Sequence, residues 1–263
     1  MIKSLVSPSK NKGKIMNTIR NLKMITFIAS LLSSFSALSN DLELGIHQLN
    51  RGEFHQAISQ FRPLVAEGYS PAQYQMALVY QHGYGVPKDG MKALELFQLS
   101  AEQHYPDAQF ELALIYTEGK LVKQDLKKAF ELMHKAAKKD LTGAQFNLAV
   151  MYANGEGVKQ NHFKASSWYQ LAADQNYALA QYNLALLYSE GKGVEKSTEL
   201  SYIWNTIASW NGYPNAEKSR IMDERTLSAK QIEDSIEKAN QIFSKIRKVL
   251  ENKAKMEERK DLY

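Results

Sequence analysis

An Ala-Gln pair opens the same phrase at residues 72, 108, 144 and 180. The four phrases read AQYQMALVYQHGYGVPKD, AQFELALIYTEGKLVKQD, AQFNLAVMYANGEGVKQN and AQYNLALLYSEGKGVEKS. The step is 36 residues each time, with no insertion. A fixed period of this length marks a stacked repeat array, because one such unit is too small to bury its own apolar face. The feature restricts the chain to serial modules and favours binding over chemistry.

One copy shows how each module is built. Ala108, Leu112, Ala113, Ile115 and Tyr116 recur at helical spacing and predict a first helix over 108–117. Gly119 ends it, as Gly83, Gly155 and Gly191 do elsewhere, because glycine takes the left-handed conformation that closes a helix. A second glycine follows in three copies (Gly85, Gly157, Gly193); Leu121 replaces it in the fourth, so that loop is expected to be built differently. A valine then plugs each loop: Val86, Val122, Val158, Val194. Asp89, Asp125, Asn161 and Ser197 share one position, and all four are N-cap residues for a second helix. On that helix small residues alternate with large ones, Ala129 and Ala137 with Leu132 and Met133, which lets neighbouring helices approach and fills the groove opposite.

These residues resemble the Sel-one-like repeat family, a relative of the tetratricopeptide repeats. The family pattern A-x-[FY]-x-L-[AG]-x-x-Y-x-x-G-x-G-V-x-x-[DN], then K-A-x-x-[WF]-[YF]-x-x-A-A, is matched nearly throughout by Ala144 to Ala173. The resemblance covers about residues 70 to 225 and implies an all-α fold: a right-handed α-solenoid of antiparallel helix pairs. Leu121, Ser197, Asn205 and Ser209 depart from the pattern.

The flanks are worn copies. Ala57 and Phe61 precede Ala93 and Phe97 by one period, within a tetratricopeptide-type unit whose turn is Gly52 and whose second helix Pro63 should kink. Ala216 begins a fifth unit that lacks its loop. Ser228 and Gln231 form a capping box that launches a long helix bearing Ile232, Ile236, Ala239, Phe243, Ile246 and Leu250. That stripe reads as a cap on the last repeat; a coiled-coil dimer seam is the alternative, though the heptads are few. The expected organisation is a secretory segment over 1–39, a degenerate unit over 40–71, and repeats over 72–107, 108–143, 144–179 and 180–215. A partial repeat with its capping helix over 216–250 and a polar tail over 251–263 follow.

Residues 1–39 have the layout of a signal peptide: six basic residues, an apolar run from Met24 to Leu38, and Ala37-Leu38-Ser39 before a cut after Ser39. A start at Met16 would give a more ordinary basic region. An uncleaved anchor is the alternative, but the run is short for a membrane span. Without this segment 27 basic residues face 28 acidic ones. The body is near neutral and lacks the basic footprint of a nucleic-acid binder. There is no cysteine, which excludes disulfides, thiol catalysis and zinc–thiolate sites.

Repetition separates scaffold from function. Gln73, Gln109, Gln145 and Gln181 never vary, and are expected to bond an adjacent turn; an amide ladder for a peptide backbone is the alternative. The positions that vary are Gln81 and His82, Thr117 and Glu118, Ala153 and Asn154, Ser189 and Glu190. Gln75, Glu111, Asn147 and Asn183 form a second variable row. The resemblance implies that first helices line the concave side, so these residues are the candidate partner-binding set. Tyr74, Phe110, Phe146 and Tyr182 form an aromatic file read as core, and Trp168, Trp204 and Trp210 read as groove fillers.

None of the six histidines has a partner at metal-binding spacing, and neither a phosphate loop nor a G-x-S-x-G elbow is present. The expectation is a non-enzymatic protein with no cofactor and no metal. It would be periplasmic or secreted, and would bind a protein or peptide as an adaptor or regulator in the bacterial envelope. The alternatives are a cell-wall hydrolase or sugar-binding protein, and a released factor that contacts a host cell. Relatives credited with acting on β-lactams carry a cysteine pair in each repeat, which this chain lacks.

Overall fold

The periodic apolar positions fold as helices throughout the residues described in the computed structural model, 38–260, and no strand occurs among them. In chain order the helices are α1 (38–50), α2 (Phe54–Ala66), α3 (Ser70–His82), α4 (Gly90–Glu102), α5 (Pro106–Glu118) and α6 (Leu126–Ala137). They continue with α7 (Thr142–Asn154), α8 (His162–Asp174), α9 (Ala178–Glu190), α10 (Thr198–Trp210), α11 (Pro214–Glu224) and α12 (Ala229–Lys260). The signal segment expected over 1–39 lies outside the described residues except for its last two.

The chain divides into two compact units, one up to Leu96 and one from Phe97 on, the division falling inside α4. In the first, Ala57, Ile58, Phe61, Met76 and Val79 form a buried core against which Leu42, Ile46 and Leu49 of α1 pack. α2 runs unbroken through Pro63. In the second, α5 packs on α6, α7 on α8 and α9 on α10, and α6, α8 and α10 each pack on the next helix along. This is the consecutive pairing of an α-solenoid. Ala108, Ala113, Ala144, Ala149, Ala180 and Ala185 are fully buried, so each first helix comes close to the helices on either side of it in the chain, while Leu148 and Leu184 fill what remains.

Helix ends explain why the period holds. The caps behave as their chemistry demands: Asp89 and Asp125 Oδ1 accept from Lys92 N and Lys128 N, Asn161 Oδ1 from Lys164 N, and Ser197 Oγ from Leu200 N, at 2.9–3.2 Å. Each cap residue also donates its own N–H to a tyrosine carbonyl at the end of the preceding helix, Tyr80, Tyr116, Tyr152 and Tyr188.

The second loop glycine has a steric role. A Cβ on Gly157 would lie 2.0 Å from Leu126 O, and one on Gly193 would lie 2.3 Å from His162 O, so each loop presses on the start of the preceding repeat's second helix. Leu121 is exposed and stays out of the left-handed region. Its loop also differs in hydrogen bonding. Tyr84 N, Glu156 N and Lys192 N each reach back five residues to a helix carbonyl, whereas in the copy with Leu121 the corresponding bond is absent and only Gly119 N caps Ile115 O.

The last repeat ends differently from the others. α10 is buried from Ser201 to Ala208 because it packs on α9, α11 and α12. Where earlier copies carry Ala165, Tyr169 and Ala173, this one carries Ser201, Asn205 and Ser209, and α11 supplies their partners. Ser201 Oγ and Asn205 Nδ2 donate to Asp223 Oδ2 at 2.8 and 3.0 Å, and Ser209 Oγ donates to Glu217 Oε2 at 3.0 Å. Burial raises the Asp223 carboxyl above its ordinary value, and these two donors pull against that rise. Arg220 binds Glu217, Glu224 and the Tyr202 hydroxyl together, and its bonds to Glu217 hold that carboxyl down to about 2.

α12 starts at the expected capping box: Ser228 N donates to Gln231 Oε1 at 3.0 Å and Gln231 N to Ser228 Oγ at 3.3 Å. Its apolar stripe covers α10: Ala239 and Ile246 are buried, and Phe243 packs against Trp210 with ring centroids 5.6 Å apart. The helix continues past Leu250 to Lys260, through a stretch with no apolar period.

Candidate interaction surface on the first helices

The invariant glutamines are structural. Gln109, Gln145 and Gln181 are at most 2% exposed, and each donates Nε2 to the carbonyl eight residues earlier, Ala101, Ala137 and Ala173, at 3.1–3.4 Å. Two of the oxygens are taken by the turn that closes the same repeat: Gln175 Nε2 donates to Gln145 Oε1, and Asn211 Nδ2 to Gln181 Oε1, both at 2.8 Å. An amide so engaged has nothing left for a partner's backbone. The bond to an adjacent turn is the role found.

The aromatic file is half-buried. Phe146 packs against Tyr169 and Tyr177, and Tyr182 against Tyr213, with centroids 4.8–5.8 Å apart. These rings pack each first helix against its partner helix and the turn that closes the same repeat. Of the three tryptophans, Trp204 is buried in α10, whereas Trp210 is 43% exposed and serves α12 rather than a groove between repeats.

The variable positions fall into two groups. In the first unit, Gln75 and His82 line a cavity of about 470 Å³ with Leu49, Phe54, Leu78 and Tyr84. His82 stacks on Tyr84 and Tyr84 on Phe54, with centroids 5.1 and 5.0 Å apart. Gln81, half-buried beside His82 in the chain, has a side-chain oxygen without a hydrogen-bond partner.

In the second unit most of the set bonds locally. Thr117 Oγ1 donates to Ala113 O, Asn147 Nδ2 to Gly143 O, Asn183 Nδ2 to Leu179 O and Ser189 Oγ to Leu186 O, at 2.8–2.9 Å. Glu118 and Glu190 pair with Lys120 and Lys192, and Asn154 Nδ2 donates to Glu156. Glu111 is half-buried; burial raises its carboxyl above the ordinary value, and the charges of Asp107 and Glu118 raise it further.

One cavity gathers three of the predicted residues. Asn154, Asn183 and Glu190 line a space of about 360 Å³ between the end of α7, the start of α8 and the face of α9. Glu111, Thr117, Glu118, Asn147 and Ser189 are not among its lining residues. The wall also includes Gln160, His162, Tyr169 and Lys192, which the reading of the sequence did not single out. A signal was present for His162: its position varies between copies, as Gly90, Leu126 and Thr198. Gln160 Nε2 is tied to Ala153 O at 2.8 Å, and His162 Nδ1 is buried without a partner. Burial, and then the charge of Glu156, push the Tyr169 phenol up to about 12, so it keeps its proton at any physiological pH. Among the described residues no group of three or more histidines, aspartates or glutamates is placed to hold a metal ion.

Comparison with known proteins follows the same lines. The Sel1 repeat pattern matches residues 70–105, 106–141, 142–177 and 178–209. A Sel1 repeat protein from Oxalobacter formigenes superposes with a TM-score of 0.64 at 23% identity, over 79% of this chain and 84% of that one. A protective antigen of uropathogenic Escherichia coli with an SLR fold superposes with a TM-score of 0.53 at 27% identity, over 80% of this chain and 54% of that one. The mouse DAP3-binding cell death enhancer 1 is 39% identical over 51 residues, 19% of this chain; the match spans about a tenth of that protein's length. Repeats of this kind generally form non-catalytic scaffolds for protein–protein interaction. The four matched repeats cover more than half of the polypeptide, and the chain belongs to the Sel1 repeat family.

Proposed function

We propose that this protein is an exported, non-enzymatic adaptor or regulator of the bacterial envelope, which binds a segment of a protein partner along the first helices of its repeats. The observation that carries the reading is the cavity lined by Asn154, Asn183 and Glu190. All three occupy positions that vary between copies, while the scaffold positions around them do not. In a repeat array, constant positions serve stacking and variable ones on a shared surface are available to a ligand. Export is argued from the basic and apolar layout of residues 1–39 alone. Among the described residues no helix is long and apolar enough to cross a membrane.

A photo-crosslinking residue at Glu118, followed by mass spectrometry on intact cells, tests the binding surface. The expected result is one dominant protein adduct that is lost when the probe is moved to the second helices. Fractionation into cytoplasm, periplasm and medium tests export, and a purely cytoplasmic, uncleaved protein would defeat that part of the reading.

A further inference from the structure

The cavity between α7, α8 and α9 is biased in hydrogen-bonding character. Three primary amides line it, and each has one N–H bound within the scaffold. Asn154 Nδ2 is held by Glu156 at 2.8 Å, Gln160 Nε2 by Ala153 O at 2.8 Å, and Asn183 Nδ2 by Leu179 O at 2.8 Å. An amide group is planar, and with one N–H held by the scaffold it keeps a fixed oxygen as an acceptor, beside its second N–H. The Glu190 carboxylate adds a charged acceptor. Its one ion-pair partner, Lys192 at 2.9 Å, is about half exposed, and a pair of that kind contributes little. His162 Nδ1 is buried and unpartnered on the same wall. Leu186 and Leu187 supply an apolar side along which a methylene chain can lie.

A recess with three amide oxygens, one weakly paired carboxylate and an apolar flank suits a long side chain that ends in several donors and a positive charge. Arginine meets this better than lysine, because its planar guanidinium presents five N–H groups in a fixed fork. The space, about 360 Å³, is at the small end of ligand sites, roughly 300–1,000 Å³, and suits one side chain with its own backbone rather than a folded surface. We propose that this cavity receives an arginine side chain of the protein partner, with Glu190 as the charged contact and Asn154, Gln160 and Asn183 as neutral acceptors. The assignment rests on the interaction reading above and adds the chemistry of the partner to it.

The test uses the full chain and three probes: an acetylated, amidated peptide of alternating glycine and arginine, its glycine–glutamate counterpart, and free argininamide. Side-chain amide NMR signals of Asn154, Gln160 and Asn183 report occupancy. The arginine peptide should shift all three and the glutamate peptide none. Glu190→Gln should weaken binding about tenfold, the scale of one charge-assisted hydrogen bond, and Lys192→Gln should strengthen it by removing a competitor for Glu190. Both side chains are exposed, so neither change threatens folding. The proposal is overturned by shifts with the glutamate peptide, by weaker binding in Lys192→Gln, or by no shift with any probe. It is also overturned if argininamide binds as tightly as the peptide, which would make the cavity a small-molecule site. Crosslinking from Glu118 separates the two readings. A captured partner whose binding ignores Glu190→Gln sinks the arginine assignment alone. Arginine-peptide binding without any captured protein sinks the interaction reading alone.

Discussion

Gln175 donates from Nε2 to Gln145 Oε1 at 2.8 Å and, with the same nitrogen, to Asp140 O at 3.2 Å. The turn that ends the repeat is thereby fastened to the invariant glutamine near its start. Asn211 does the same for Gln181 and Asn176 one period later. A shorter side chain serves there, so in these two repeats the donor keeps its register while its identity changes.

Removing one end of this relay leaves a buried polar group unpaired. Gln145→Ala should cost about 2 kcal/mol and Gln175→Ala about 1 kcal/mol, within the range for lost hydrogen bonds. The double variant should lose less than the sum, with a coupling of about 0.5–1 kcal/mol measured by urea unfolding. Strict additivity would mean that the two amides act independently.

The turns between repeats all contain one residue with positive φ: Gly68, His104, Asp140, Asn176 and Gly212. His104, with φ of 65°, is exposed and pays the steric penalty of a Cβ in the left-handed region. His104→Gly should therefore stabilise the protein by about 0.5–1 kcal/mol, the penalty less the added entropy of the unfolded chain. Gly157→Ala should act in the opposite sense, by 2 kcal/mol or more as a rough scale, because its Cβ would overlap Leu126 O. Thermal melts of the two variants should move in opposite directions.

Glu111 gives a pH-dependent test. Burial raises its carboxyl above the ordinary glutamate value of about 4.5 in the folded chain, so the native state holds that proton more tightly than the unfolded one. Stability from this group is then greatest below about 4.5 and falls as pH rises through the native value. Glu111→Gln should be more stable than the parent at pH 7 and no more stable at pH 3.5. Unfolding curves at the two pH values check the sign.

Ile246 is 4% exposed on the face of α12 that covers α10. Ile246→Ala should cost roughly 2–4 kcal/mol through transfer and cavity terms and should alter Trp210 fluorescence through the neighbouring Phe243 contact. The loss should not depend on protein concentration. A concentration-dependent loss would place this stripe in a dimer seam instead.

What the sequence determined by itself is local and repeated. The caps at Asp89, Asp125, Asn161 and Ser197, the closing glycines, the capping box at Ser228 and the altered loop at Leu121 were all legible. Each is set by chemistry within a few residues, and four copies show it four times. The burial of Gln73, Gln109, Gln145 and Gln181 was legible for the same reason. Contacts that cross the joints were not. Nothing in the order of residues pairs Gln175 with Gln145, and nothing marks His104 as a left-handed residue until it is aligned with Gly68 and Gly212. Asn205 and Ser209 stood out as departures, but only the packing of α11 supplied the reason, in Asp223 and Glu217. The cavity follows the same rule. Asn154, Asn183 and Glu190 could be nominated because they vary, but Gln160 and His162 join them only because α7, α8 and α9 meet at one point. Tertiary structure decided this, since a pocket is a property of surfaces brought together from distant turns, and its chemistry depends on which end of each amide the scaffold has already taken.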